Sequence, residues 1–308
     1  MKAPFFSDTY AEAREKFRAA VKASDHTATA HVHPDAKGPD GAALAMDVVW
    51  FGPRAAAGVL LNLSGTHGAE GFAGSAAQLA WIEARGFDAL PEGIAVLMVH
   101  GVNPYGFAHF SRTTEDNVDL NRNWIDFTKP APDNPHYADY HDILTPKIIN
   151  PEVEAHILKQ LGTLAEQRGQ WELEDAMSRG QYARPDGLGF GGQKPTWSRE
   201  TLTAIIKDNL GHAKKVAFID WHTGTPGIGE IIYLCYSQPG SESYANAASL
   251  RDEDNIRPTK IESQWGSKPP GREGVIFHDI QSLVSGLGCS AAGGGIDKGT
   301  PAHPEPRG

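Results

Sequence analysis

Two nearly continuous apolar runs constrain this chain most: GVLLNLS at 58–64 and IAVLMVH at 94–100. A strand with one wet face would interrupt such runs with alternating polar residues, so each reads as a strand covered on both faces. Between them, SGTHGAEG leads into FAGSAAQLAWIEARG, a helical segment closed by Gly86. Strand, loop, helix, strand is the unit of an open, mostly parallel sheet, which gathers its site residues at the carboxyl ends of its strands. LAMDVVWF at 44–51, VAFID at 216–220 and EIIYLCY at 230–236 supply further strands. Thr9-Tyr10-Ala11-Glu12 fits a capping box opening a helix to about Ala23, and 151–168, 198–210 and 273–284 also read as helices. The expected fold class is α/β: a mixed, mostly parallel sheet sandwiched between helices.

Residues 1–284 are expected to form one catalytic domain. Within it, GQYARPDGLGFGGQKPTW is a long Gly/Pro loop holding Tyr182, Phe190 and Trp197, a candidate lid or pocket lining. From 285 to 308 the chain has almost no large apolar residue and no periodicity, so it is expected to be irregular. The abruptness of that change suggests a truncated or frame-shifted end.

A net charge of -10, with no basic cluster longer than Lys214-Lys215, argues against nucleic acid as partner. Two cysteines without a CxxC argue against a disulfide framework or a cysteine-built metal site. No secretory h-region opens the chain and no apolar run is long enough to span a bilayer, so a cytoplasmic protein without membrane contact is expected.

The glycine-rich SGTHGAEGFAG admits several chemistries. Its spacing is G-x-x-G-x-x-G, not the dinucleotide G-x-G-x-x-G, and no Walker G-K-[ST] is present. No G-x-S-x-G nucleophile elbow occurs in the chain. A metal site remains. His67 and Glu70 form H-x-x-E on the loop after a buried strand, with glycines to permit tight turning. Alone, such a pair is more often a solvated surface turn. FIDWHTG changes the odds, because His222 follows a second buried strand. His67, Glu70 and His222 would give the three protein ligands of a catalytic zinc, leaving one position open. Asp220 and Trp221 are candidates for supporting that histidine. HFSRTTEDNVDLNRNW at 109–124 adds Arg112, Asn121 and Arg122, suited to a carboxylate or an oxyanion. His31 and His33 are taken as residues of a surface strand, and His100 and His109 as flanking the cleft.

H-x-x-E, a downstream NVDLNRNW and a distant strand-end histidine together resemble the zinc carboxypeptidase superfamily (carboxypeptidase A-like). SGTHGAEGFAGSAAQ, VNPYGF, EDNVDLNRNW, GQY, PTWS and DWHTG look most like a bacterial carboxypeptidase-like subfamily, over roughly residues 5 to 284. The succinylglutamate desuccinylase/aspartoacylase branch is a more distant likeness. The resemblance implies one zinc ion on His67, Glu70 and His222, substrate carboxylate binding by Asn121 and Arg122, and Arg112 as the carbonyl-polarising arginine. It implies a hydrolase cleaving an amide beside a free carboxylate, with a small peptide or an N-acyl amino acid as substrate.

One departure stands out. The resembling enzymes carry a late glutamate as general base, on a strand followed by Gly-Thr. Here the nearest match is Asp297 in GIDKGT, one methylene shorter and without an apolar lead-in; Glu230 and Glu273 are alternatives. A zinc-binding protein with impaired catalysis is therefore a competing expectation.

Overall fold

In a computed structural model, both apolar runs are central strands of one mixed sheet. The structure describes residues 4–228, 231–235, 245, 256–258 and 290–299, with side chains through Gly224 and at 245. In chain order the elements are α1 (Tyr10–Ala23), β1 (Thr29–Lys37), β2 (Ala43–Phe51), β3 (Gly58–Ser64), α2 (Gly71–Glu83), β4 (Ile94–His100) and α3 (Pro104–Ala108). There follow α4 (Leu120–Asn123), α5 (Tyr137–Leu144), α6 (Pro151–Arg168), α7 (Gln170–Ser178), α8 (Trp197–Leu210), β5 (Lys215–Ile228), β6 (Ile231–Cys235), β7 (Ile256–Pro258) and β8 (Ser290–Gly299). The helix expected over 273–284 lies outside the described residues.

The chain divides into two compact units, each taken by itself: Met1–Glu115 with Glu200–Thr259 and Ile280–Gly308, and Asp116–Arg199 with Lys260–Asp279. The first holds the sheet, in the order β1-β2-β4-β3-β5-β8-β6-β7. Its centre, β4-β3-β5-β8, is parallel throughout, while β1-β2, β2-β4 and β6-β8 pair antiparallel. The mixed, mostly parallel sheet is thus as expected. β2 is buried from its second residue to its end, as a strand covered on both faces must be. On one face, Phe17 and Val21 of α1 and Leu79 and Ile82 of α2 pack on Val49, Phe51, Val96 and Met98. Trp50 lies on the other face and meets His212, just beyond α8, at 6.0 Å between ring centroids.

The capping box is real, in a modified form. Thr9 Oγ1 accepts from the Glu12 amide at 3.2 Å, while Glu12 Oε2 accepts from the amide of Asp8 rather than of Thr9. The second unit is helical and packs around Tyr140, Leu173 and Ala176. Its α6 begins with the expected chemistry, Asn150 accepting from the Val153 amide at 2.8 Å with Pro151 in the first turn.

Two expectations need correction. The segment 285–308 is not irregular throughout, because Ser290–Gly299 form β8, parallel to β5. Strand pairing supplied what the local sequence lacked: small residues such as SAAGGG can enter a sheet where both neighbours bring the ladder hydrogen bonds. His33 lies on a strand as expected, but it is buried; its ring meets Glu115 Oε1 at 3.0 Å and accepts from the Asp35 and Ala36 amides. No helix among the described residues is long and apolar enough to cross a membrane.

Candidate metal centre

β3 and β5 pair in parallel with Leu63 opposite Asp220 and Ser64 opposite Trp221, so their carboxyl ends finish side by side. From one end the chain turns through Gly65, Thr66 and His67 into a single 3-10 turn, Gly68–Glu70, and then α2. From the other, β5 continues directly into His222 and Thr223. Residues 152 positions apart thereby become neighbours.

Two glycines make the turn possible. Gly65 has φ +74°, a left-handed conformation that side chains other than glycine adopt at a cost. A β-carbon on Gly68 would fall 1.9 Å from the backbone of Gly106, so α3 can approach the loop only over a glycine. The Ala69 amide donates to Ser111 O at 2.9 Å and the Asn103 amide to Gly65 O at 2.8 Å, which pins the loop on both sides.

Glu70 is the hub. Its Oε1 lies 3.0 Å from His67 Nδ1 and its Oε2 lies 2.9 Å from His222 Nδ1. Oε2 also accepts from the Thr223 amide at 2.9 Å, and Arg112 Nη1 donates to Oε1 at 3.4 Å. The rings of His67 and His222 meet edge-on, 4.8 Å between centroids. His222 donates from its other nitrogen, Nε2, to Asp220 Oδ2 at 2.8 Å, and Asp220 Oδ1 accepts from the Thr66 hydroxyl at 2.9 Å. His67 and Asp220 are buried, and the Glu70 side chain is 14% exposed, so each of these bonds replaces lost hydration.

The charges follow. Burial works to raise the pKa of Glu70, but the hydrogen bonds and charge of His222 and His67 outweigh it and hold the carboxyl well below its usual range. Burial likewise opposes charge on His222, yet the Asp220 carboxylate, then Glu70, raise its pKa well above the ordinary value. His222 thus stands between two carboxylates, Glu70 and Asp220.

The donor set fits a zinc-like ion. Two imidazole nitrogens and a carboxylate are ligands such an ion prefers, and one candidate atom from each of the three residues lies within 4.8 Å of the others. A tetrahedral ion with bonds of ~2.0–2.1 Å holds its ligand atoms roughly 3.3 Å apart. The Nδ1–Oε spacings of 3.0 and 2.9 Å need only small outward adjustments to admit one. Arg112 is half exposed at the edge of this cluster.

In the second unit, Asn121 and Arg122 lie on α4, where Asp119 caps the turn by accepting from the Asn121 amide at 2.9 Å. The Arg122 guanidinium donates to the carbonyls of Asn121 and Ser178, and its Nε is buried with no hydrogen-bond partner. Asn123, not singled out from sequence, is the keystone of that unit: its amide donates to Gly191 O and Lys194 O and accepts from the Thr196 amide and hydroxyl. Tyr182 and Phe190 of the Gly/Pro loop are tied down, Tyr182 Oη donating to Arg122 O at 2.6 Å and Phe190 bridging Gln181. Asp297 takes a β8 position in register with His222. Glu230 and Glu273 lie outside the described residues. His100 is buried beneath α1 with Nε2 on Ser75 Oγ at 2.9 Å. His109 Nε2 donates to Lys37 O at 2.9 Å. Sequence reasoning missed Thr66 and the Thr223 amide. The signal for Thr66 was its place beside His67; asking what satisfies the carboxylate behind His222 would have found it.

The model of a family described as "Protein of unknown function (DUF2817)" matches residues 6–292. Among curated proteins none matches the chain by sequence. Of the solved structures, bovine thrombin-activatable fibrinolysis inhibitor, in complex with tick carboxypeptidase inhibitor, superposes with a TM-score of 0.55 at 12% identity, covering 97% of this chain and 88% of that one. Carboxypeptidase A from Helicoverpa armigera gives 0.53 at 12% identity, covering 97% of this chain and 65% of that one. An aspartoacylase family protein from Mesorhizobium loti gives 0.40 at 15% identity, over 89% of this chain and 61% of that one. The first two likenesses establish a carboxypeptidase-like α/β fold and, at such identity, nothing finer.

Proposed function

We propose, for a chain that belongs to the DUF2817 family, that it is a zinc-dependent hydrolase of an amide bond next to a free carboxylate. One observation carries this reading: His67, Glu70 and His222 converge from two adjacent strand ends, with Nδ1–Oε spacings of 3.0 and 2.9 Å. Zinc held there would supply Lewis-acid chemistry toward the scissile carbonyl and the attacking water.

The protein's own groups have distinct tasks in this scheme. His67, Glu70 and His222 would hold the ion. Arg112, at the edge of the cluster, stabilises negative charge growing on the scissile carbonyl oxygen. Asn121 and Arg122 hold the free carboxylate of the substrate, a role resting on the resemblance of NVDLNRNW. For this, the Arg122 guanidinium exchanges a backbone carbonyl for a carboxylate, the stronger, charge-assisted acceptor. Asp297 is the candidate general base, supported by its register position beside His222. It would take a proton from the attacking water and deliver it to the leaving amine.

The test is metal analysis of the purified protein, followed by hydrolysis of two substrate panels, C-terminal peptides and N-acyl amino acids. Stoichiometric zinc with turnover of the first panel supports a carboxypeptidase; turnover of the second supports a deacylase. Absence of a late glutamate in the E-x-GT pattern favours a second reading, a zinc-binding protein with impaired catalysis. Bound zinc with no turnover on either panel would select it, and Asp297→Asn without effect on an active protein would remove Asp297 as the base.

A further inference from the structure

We propose that Thr66 is a positioning residue of the metal centre, acting through Asp220 on His222. The inference rests on the metal-binding reading above and extends it to a residue with no ligand atom of its own.

Thr66 is fully buried and Asp220 nearly so. A buried carboxylate needs hydrogen-bond donors for both oxygens. Asp220 finds them in two places: Oδ1 takes the Thr66 hydroxyl at 2.9 Å and Oδ2 takes His222 Nε2 at 2.8 Å. Neither oxygen can turn away without giving up one partner, so the carboxylate plane is fixed. That plane fixes the imidazole. With Nε2 committed as donor to Asp220, Nδ1 is the nitrogen left to face Glu70 and an incoming ion.

The bonds close a ring. Glu70 reaches His222, His222 reaches Asp220, Asp220 reaches Thr66, and Thr66 is joined by a peptide bond to His67, which returns to Glu70. The two strand ends are thus locked at the site as well as along their ladder. Threonine suits this position better than serine. Its β-branch restricts χ1 and holds the hydroxyl on one heading.

Zinc dissociation constants, measured by competition with a chromophoric chelator, test the idea in the full chain. Asp220→Asn is expected to weaken zinc about 10–100-fold, the usual effect of losing the partner behind a ligating histidine. Thr66→Val is expected to weaken it roughly tenfold and Thr66→Ser no more than about twofold, the hydroxyl being kept. The double variant Thr66→Val/Asp220→Asn should be no weaker than Asp220→Asn alone, because both act through one carboxylate. A purely structural role for Thr66 would instead lower the metal-free unfolding midpoint and leave losses additive. Thr66→Ala serves if the valine variant does not fold. Wild-type zinc affinity in Thr66→Val or Thr66→Ala, or additive losses in the double variant, would overturn the proposal alone. A wild-type protein that takes up no zinc would overturn the metal reading and this proposal with it.

Discussion

Two carboxylates of the first unit, Glu70 just beyond β3 and Asp47 on β2, have opposite fates. Glu70 stands between His67 and His222; Asp47, fully buried on β2, stands between Arg14 and Arg18. Arg14 grips Asp47 bidentately, Nε to Oδ2 at 2.6 Å and Nη2 to Oδ1 at 3.2 Å, and Arg18 Nη1 shares Oδ1. Each site also has a histidine. Across the ladder from Asp47 lies His100, and there burial, with Arg14 adding to it, drives the imidazole pKa down to about 4. His222, flanked by two carboxylates, is driven up instead. A guanidinium does not give up its proton, and the Asp47 cluster ties α1 to the sheet. An imidazolium can give up its proton, so the Glu70 cluster can exchange protons for an ion.

The sharpest way to break this comparison is to remove each carboxylate. Glu70→Ala should abolish stoichiometric zinc retention, a loss of roughly a thousandfold or more in affinity, with the fold kept. Asp47→Ala should leave zinc untouched and cost about 2–3 kcal/mol of stability in urea titration. That is below the ~3–5 kcal/mol of a fully buried pair, because both guanidiniums can reach water. Zinc loss in the second variant but not the first would invert the assignment. A smaller effect is expected at the cluster's edge. Arg112→Ala should lower turnover about 100-fold while bound zinc is unchanged, as for one lost oxyanion donor; zinc lost together with turnover would make Arg112 structural.

pH separates the clusters more gently. His222 has a raised pKa in the metal-free fold, so its pairing contributes fully below its ordinary value of 6.5 and fades as pH rises through the folded value. Glu70 has a lowered pKa, so its contribution is whole above its ordinary value of 4.5 and fades on acidification. Metal-free stability should therefore be greatest between those limits, and zinc should shift the optimum upward by competing with the imidazole protons. Unfolding midpoints against pH, with and without zinc, check this; identical profiles would mean the histidines do not exchange protons for metal. The smallest effect belongs to Arg18→Ala, about 0.5–1 kcal/mol, since Arg18 is partly exposed and Arg14 still holds Asp47. A loss as large as that of Asp47→Ala would show that the clamp needs both arginines.

Much of the architecture was legible in order. The runs at 58–64 and 94–100 are β3 and β4 at their expected bounds, and Asn150-Pro151 opens α6 as a capped helix should. β5 was read too short, at 216–220 rather than Lys215–Ile228, because WHTGTPG carries no strand pattern and is held by pairing instead. β8 was invisible for the same reason. Of the candidate site, His67, Glu70 and His222 were legible as residue types at strand ends, and the structure gathers them. Asp47 gave no signal that it would be clamped, since one aspartate inside an apolar strand looks like any other until α1 lies across it.

The amino-acid order by itself displayed the central strands β3 and β4, the glycines that permit the turn at 65–70, and the three residues that could share an ion. Those depend on local periodicity and local backbone freedom, which a sequence displays directly. Only the tertiary structure decided that Asp220 backs His222, that Thr66 backs Asp220, and that one buried carboxylate meets imidazoles while another meets guanidiniums. Such pairings join residues up to 154 positions apart and are fixed by strand register and helix docking. A shift of one residue in that register would turn the same side chains to opposite faces.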